Sequence, residues 1–86
     1  MNKKVTTQVC ENVLYLKELN EIKYVQNIET TLGISQGYIS RCLNNPSKHL
    51  SVDLLDLISR YFGVSSELLM YHDLREEKYG EDLYDF

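Results

Sequence analysis

Residues 28–43 read IETTLGISQGYISRCL, two short helical patterns on either side of a glycine-centred turn. Ile28 and Leu32 lie four apart, as residues on one helix face do. Gly33 follows at once, where a helix ends in a left-handed residue that glycine adopts without strain. Ile34 is the apolar residue of the turn. Ser35 stands where an N-cap belongs, its hydroxyl placed to accept a backbone N–H of the next helix. Ile39, with Cys42 or Leu43 three and four residues on, gives that second helix a buried side. The spacing predicts a helix-turn-helix, its first helix over about Val25 to Leu32 and its second over Gln36 to about Leu43.

The same periodicity continues on both sides. A first helix is predicted from Thr7 or Gln8 to Asn20, with Val9, Val13, Leu16 and, at its end, Leu19 on the core face. Ile22, in the link, plugs the core. After the helix-turn-helix, Asn45-Pro46 disfavours helix and makes Asn44 to Leu50 a loop. Ser51 caps a fourth helix, Asp53 sits in its first turn, and Leu54, Leu55, Ile58, Tyr61 and Phe62 form its apolar side. Gly63 ends it. Ser65 or Ser66 caps a short fifth helix that brings Leu68, Leu69 and Met70 onto the bundle. The expected fold is all-α, a compact bundle of five short helices: an N-terminal arm (residues 1–7), a helical domain (8–70) and an acidic aromatic tail (71–86).

Composition narrows the function classes. The chain of 86 residues is 43% hydrophobic with a single proline, enough for one small core. No run of 18 apolar residues and no charged-then-apolar leader stands in it, which predicts a cytoplasmic protein without a membrane span. Cys10 and Cys42 fall on interior helix positions and read as buried thiols of a reducing compartment. His49 and His72 are far apart, with no Cys-x-x-Cys nearby, so no metal is expected. No phosphate loop and no nucleophile motif stands out; neither an enzyme nor a cofactor is expected. Residues 71–86 hold six acids and two bases, whereas residues 1–70 hold seven of each. The whole net charge of −4 therefore lies in the last sixteen residues. An acidic chain of this kind can still present a basic stripe, because binding follows the local potential.

The runs LGIS (Leu32 to Ser35), YISR (Tyr38 to Arg41) and FGVS (Phe62 to Ser65), with SSELLM behind the last, resemble the lambda-repressor-like family of DNA-binding domains, also called Cro-type or xenobiotic-response-element (XRE). The resemblance spans roughly Val9 to Met70. It implies a sequence-specific DNA-binding transcription regulator of bacterial or phage type, a repressor by family habit, whose third helix enters the major groove of double-stranded DNA. Carried onto this sequence, the family's base-reading positions are Gln36, Gly37 and Arg41, with Ser40 as a minor reader. Glutamine pairs with adenine and arginine with guanine, each worth roughly 1–3 kcal/mol of discrimination. Candidate phosphate contacts are Tyr38, Gln26, Lys23, Asn44 and Lys48, joined by Lys3, Lys4 and His49. Tyr38 reads equally as core-edge packing.

This sequence departs from the family pattern at two positions. Glu29 occupies the usually small position where the two helices cross, where a carboxylate must lean outward or find a donor, since an unpaired buried charge is very costly. Val25, preceded by Tyr24, stands where the family places a phosphate-holding glutamine, which leaves Gln26 and Asn27 as the exposed candidates. The resemblance further implies a homodimer on an inverted-repeat operator, and Leu68, Leu69, Met70, Tyr71 and Leu74 form an apolar cluster suited to dimerisation. The tail from Tyr79 onward reads equally as part of that interface or as disordered. The alternative reading is a non-enzymatic protein-interaction module, adaptor or antitoxin-like, whose acidic tail is the site for a protein partner.

Overall fold

The computed structural model describes residues 4–45 and 50–81, and these form an all-α globule of five helices: α1 (Val5–Leu19), α2 (Val25–Leu32), α3 (Tyr38–Asn44), α4 (Val52–Phe62) and α5 (Ser66–Tyr71). Among the described residues no strand occurs, and no helix is long and apolar enough to cross a membrane. Lys3, Lys48, His49 and the tail beyond Glu81 lie outside the described residues.

The predicted caps hold at most ends. Ser51 accepts the Leu54 N–H at 3.1 Å and Ser65 the Leu68 N–H at 3.2 Å, opening α4 and α5. Gly33 closes α2 at φ 74°. Its own N–H reaches the Thr30 carbonyl and that of Ile34 the Glu29 carbonyl, the paired bonds of a Schellman motif. Two boundaries move. The first helix begins at Val5 rather than Thr7 or Gln8, so residues 5–7 belong to it and not to an arm. The third begins at Tyr38 rather than Gln36, because Gly37, at φ 84°, lies outside helical space.

The core runs between α1, α2, α4 and α5 through Val9, Val13, Leu16, Ile28, Leu54, Ile58, Val64 and Leu69. A second cluster of Cys10, Ile39 and Cys42 seats α3 on α1. Both cysteines are free thiols. Burial, with Cys42 alongside, pushes the Cys10 thiol up from 9.0 to about 12.

The segment after α5 corrects the sequence reading. Leu69 and Leu74 are fully buried in the monomer's own core, and Leu68 and Met70 pack against it. Of the five residues assigned to dimerisation, only Tyr71 is exposed. The cause is Asn12, a polar residue 1% exposed within the apolar stripe of α1. Its Nδ2 donates to the carbonyls of Leu69 (2.8 Å) and His72 (2.7 Å), while its Oδ1 accepts the Leu74 N–H (3.0 Å) and Gln8 Nε2 (3.2 Å). One amide thus satisfies three backbone groups where the chain leaves α5 and drives Leu74 into the core. The Tyr15 hydroxyl donates to the Tyr79 carbonyl and Arg75 pairs with Glu18 at 2.9 Å. The first part of the tail, through Glu81, is therefore built onto α1.

Two outcomes follow from this packing. Asn12→Ala leaves three backbone groups of the α5 exit without their partner; unfolding in urea is expected to show a loss of about 2–4 kcal/mol, with limited proteolysis shifted to residues 72–81. Above the ordinary thiol range the unfolded chain releases the Cys10 proton while the folded chain keeps it, so stability falls as pH rises between 9.0 and about 12. A urea midpoint that declines over this range in reducing buffer, and declines less steeply in Cys10→Ala, is the expected result.

Candidate nucleic-acid interface

α2 and α3 meet at Glu29. Its side chain is 1% exposed, and it is neither leaning out nor unpaired. Oε1 accepts the Gly37 N–H and Oε2 the Ile39 N–H, both at 3.0 Å. The intervening Tyr38 N–H is taken by the Ser35 carbonyl at 3.1 Å. The first donors of α3 are thus satisfied by a carboxylate from the preceding helix, and its negative charge lies where the helix dipole favours one. The position that the resemblance expects to be small here supplies the cap of α3.

This corrects the N-cap assignment of Ser35. Ser35 opens a turn whose third residue, Gly37, has φ 84° and ψ 0°, the values of the glycine position in a type II turn. With the cap supplied from Glu29, the Ser35 hydroxyl is available to another partner, and it accepts Arg41 Nη2 at 2.9 Å. Arg41 Nη1 donates to the Gln36 carbonyl at 3.1 Å. The guanidinium lies back over the turn, so that a Cβ on Gly37 would sit 3.1 Å from Nη1. Gly37 is needed here for its left-handed backbone and for the room it leaves Arg41, and it contributes no side chain to reading bases.

The predicted base readers come together on one outer surface. Gln36, Ser40 and Arg41 are exposed, and Gly37 is half-buried beneath the guanidinium. Asn44 is exposed but its amide donates to the Ser40 carbonyl at 3.0 Å. On α2, Gln26, Asn27, Thr30 and Thr31 are exposed, the last with its hydroxyl turned back to the Asn27 carbonyl. Lys23 precedes α2, its Nζ 5.4 Å from the centroid of the Tyr24 ring. Tyr38 is half-buried and packs against both core clusters. Burial pushes its phenol up, and Cys42 adds to this, while the Arg41 charge pulls the other way. The core-edge packing that its sequence reading allowed is present.

The electrostatics of this surface are set by what it lacks. Between Glu21 and Asp53 the only acidic residue is Glu29, and its carboxylate is buried and bonded. The exposed part of α2 and α3 therefore presents amides, hydroxyls and the cations of Lys23 and Arg41, with no exposed carboxylate among its described residues. The acids cluster elsewhere, Glu76, Glu77 and Glu81 on the segment docked to α1. Among the described residues no group of three His, Cys, Asp or Glu is placed to hold a metal ion. No family model, curated protein or solved structure matches the chain.

Sequence reading left unassigned the roles that two residues play here. The role of Ser35 in holding Arg41 depends on side-chain length and turn geometry that no pattern encodes. The capping role of Glu29 had a faint signal, an acid at the helix crossing eight residues before a glycine that opens the next helix. Glu29→Ala is expected to cost about 3–4 kcal/mol in urea unfolding, from loss of two charge-assisted bonds that leaves the buried Ile39 N–H and the half-buried Gly37 N–H unpaired. Glu29→Gln keeps one acceptor oxygen but turns an amide donor toward a backbone donor, and about 2 kcal/mol is expected.

Proposed function

We propose that the chain is a sequence-specific DNA-binding regulator that seats α3 in the major groove of double-stranded DNA. The observation that carries this reading is the acid-free polar surface of α2 and α3, with Gln36 exposed in the turn that leads into α3 and the exposed Arg41 guanidinium folded back onto that turn. A short helix preceded by an exposed amide, with a guanidinium folded back over the same turn, suits the groove, whose base edges offer the hydrogen-bonding pairs that glutamine and arginine recognise. The resemblance of LGIS, YISR and FGVS to the lambda-repressor-like family points the same way, and suggests a repressor.

Lys23 just before α2 and the amides of Gln26 and Asn27 on it are the proposed phosphate partners, with Lys48 from the sequence that follows α3. The free N–H groups of a helix start are not among them at α3, since Glu29 already holds those donors. One recognition helix covers few base pairs, so a homodimer on an inverted repeat is proposed. Such a dimer engages exposed apolar groups such as Tyr71, not the buried Leu69 and Leu74.

A second reading is favoured by the fixed acidic surface of Glu76, Glu77 and Glu81, which Asn12 and the Arg75–Glu18 pair tie to α1. On that reading a basic protein partner docks there and α3 is idle.

Selection of bound duplexes from a random pool by the full chain tests the first reading. The expected result is an enriched inverted repeat, bound with a salt slope on the order of −3 to −5 in log K against log salt. Arg41→Ala and Gln36→Ala should each weaken binding to the enriched site by roughly tenfold or more. No enriched duplex at low salt, with both variants unchanged in every interaction, would favour the adaptor.

A further inference from the structure

We infer that Ser35 is a specificity-determining positioning residue, which holds the Arg41 guanidinium in a fixed orientation for reading a base edge; the inference rests on the DNA-binding reading above. The residue placed to cap α3 is Ser35, yet Glu29 supplies the cap from the neighbouring helix. The hydroxyl so released accepts Arg41 Nη2 at 2.9 Å, and the adjoining Gln36 carbonyl accepts Nη1 at 3.1 Å.

Two bonds to one planar group fix both its position and the orientation of its plane. An exposed arginine otherwise samples many rotamers and must lose that freedom on binding. Arginine carries five N–H donors in a rigid fork. Two are engaged with the turn, and Nε–H and one N–H on each terminal nitrogen remain for a partner. Gly37 completes the arrangement, because any side chain there would meet Nη1. The partner that fits is a pair of acceptors on a base edge, as guanine offers through O6 and N7 in the major groove. A backbone phosphate offers the same acceptors, so the test must separate the two.

Fluorescence anisotropy on the duplex enriched by the full chain, and on a scrambled duplex of equal length, makes the separation. Ser35→Ala is expected to weaken binding to the enriched duplex roughly fivefold, with less than about a twofold change on the scrambled one. Ser35→Thr, which keeps the hydroxyl, should restore most of the loss. In an Arg41→Ala background Ser35→Ala should have no further effect, because the group it positions is gone. Ser35 is exposed, so an unchanged urea midpoint is expected and shows that folding is not the cause.

An equal loss on both duplexes would overturn the inference in favour of a phosphate contact or a structural role. So would a loss that persists undiminished without Arg41. Wild-type preference for the enriched duplex with Ser35→Ala unchanged would overturn the positioning role alone and leave the DNA-binding reading standing. Absence of any preferred duplex for the wild-type chain would overturn both.

Discussion

The carboxylate of Glu29 joins the two halves of the proposed DNA-binding unit. Its backbone carbonyl accepts the Ile34 N–H that closes α2, while its side chain accepts the two N–H groups that open α3. One residue therefore terminates one helix and starts the next, which fixes both their separation and their crossing. A buried charge is tolerated because its oxygens meet donors that a helix start leaves unsatisfied, at the positive end of the helix dipole. The same burial removes the only acidic side chain between Glu21 and Asp53 from the exposed surface.

Capping by Glu29 has effects outward along the turn. Ser35 no longer needs to hold the start of α3, Gly37 adopts the left-handed conformation that aims the chain into the helix, and Arg41 folds back onto both. The arrangement is polar where it faces solvent and apolar beneath, since Ile39 and Cys42 lock α3 onto Cys10 of α1. α1 thus supports the proposed DNA-binding surface on one side and, through Asn12, the exit from α5 on another. An amide in the core plays the part on that side that the carboxylate plays at the turn. Each satisfies backbone groups of a distant segment, and among the described residues no buried side-chain polar atom lacks a partner.

Much of this was legible in the chain. Apolar spacing placed all five helices, and glycines at 33 and 63 and serines at 51 and 65 marked their ends, because caps and left-handed closures are local chemistry. Gln36, Ser40 and Arg41 were readable as an outer face from the position of Ile39 and Cys42. The start of α3 was misplaced by two residues, since Gln36 and Gly37 look helical in pattern while the turn requires Gly37 outside it. The tail was misread for a related reason. Its apolar residues Leu68 to Tyr71 and Leu74 read as a dimer surface, and nothing in the pattern of α1 announced that Asn12 would receive the segment in the monomer.

Helix number, most helix ends and the polar outer side of α3 were determined by the sequence alone, because each depends on residues within a few positions of one another. Tertiary structure decided the rest: that Glu29 caps α3, that Ser35 holds Arg41, and that Leu69 and Leu74 seal the monomer instead of an interface. Those outcomes depend on which donors and acceptors come within 3 Å across the fold, and a buried polar group takes its role from the partner that reaches it, whatever its neighbours in the chain.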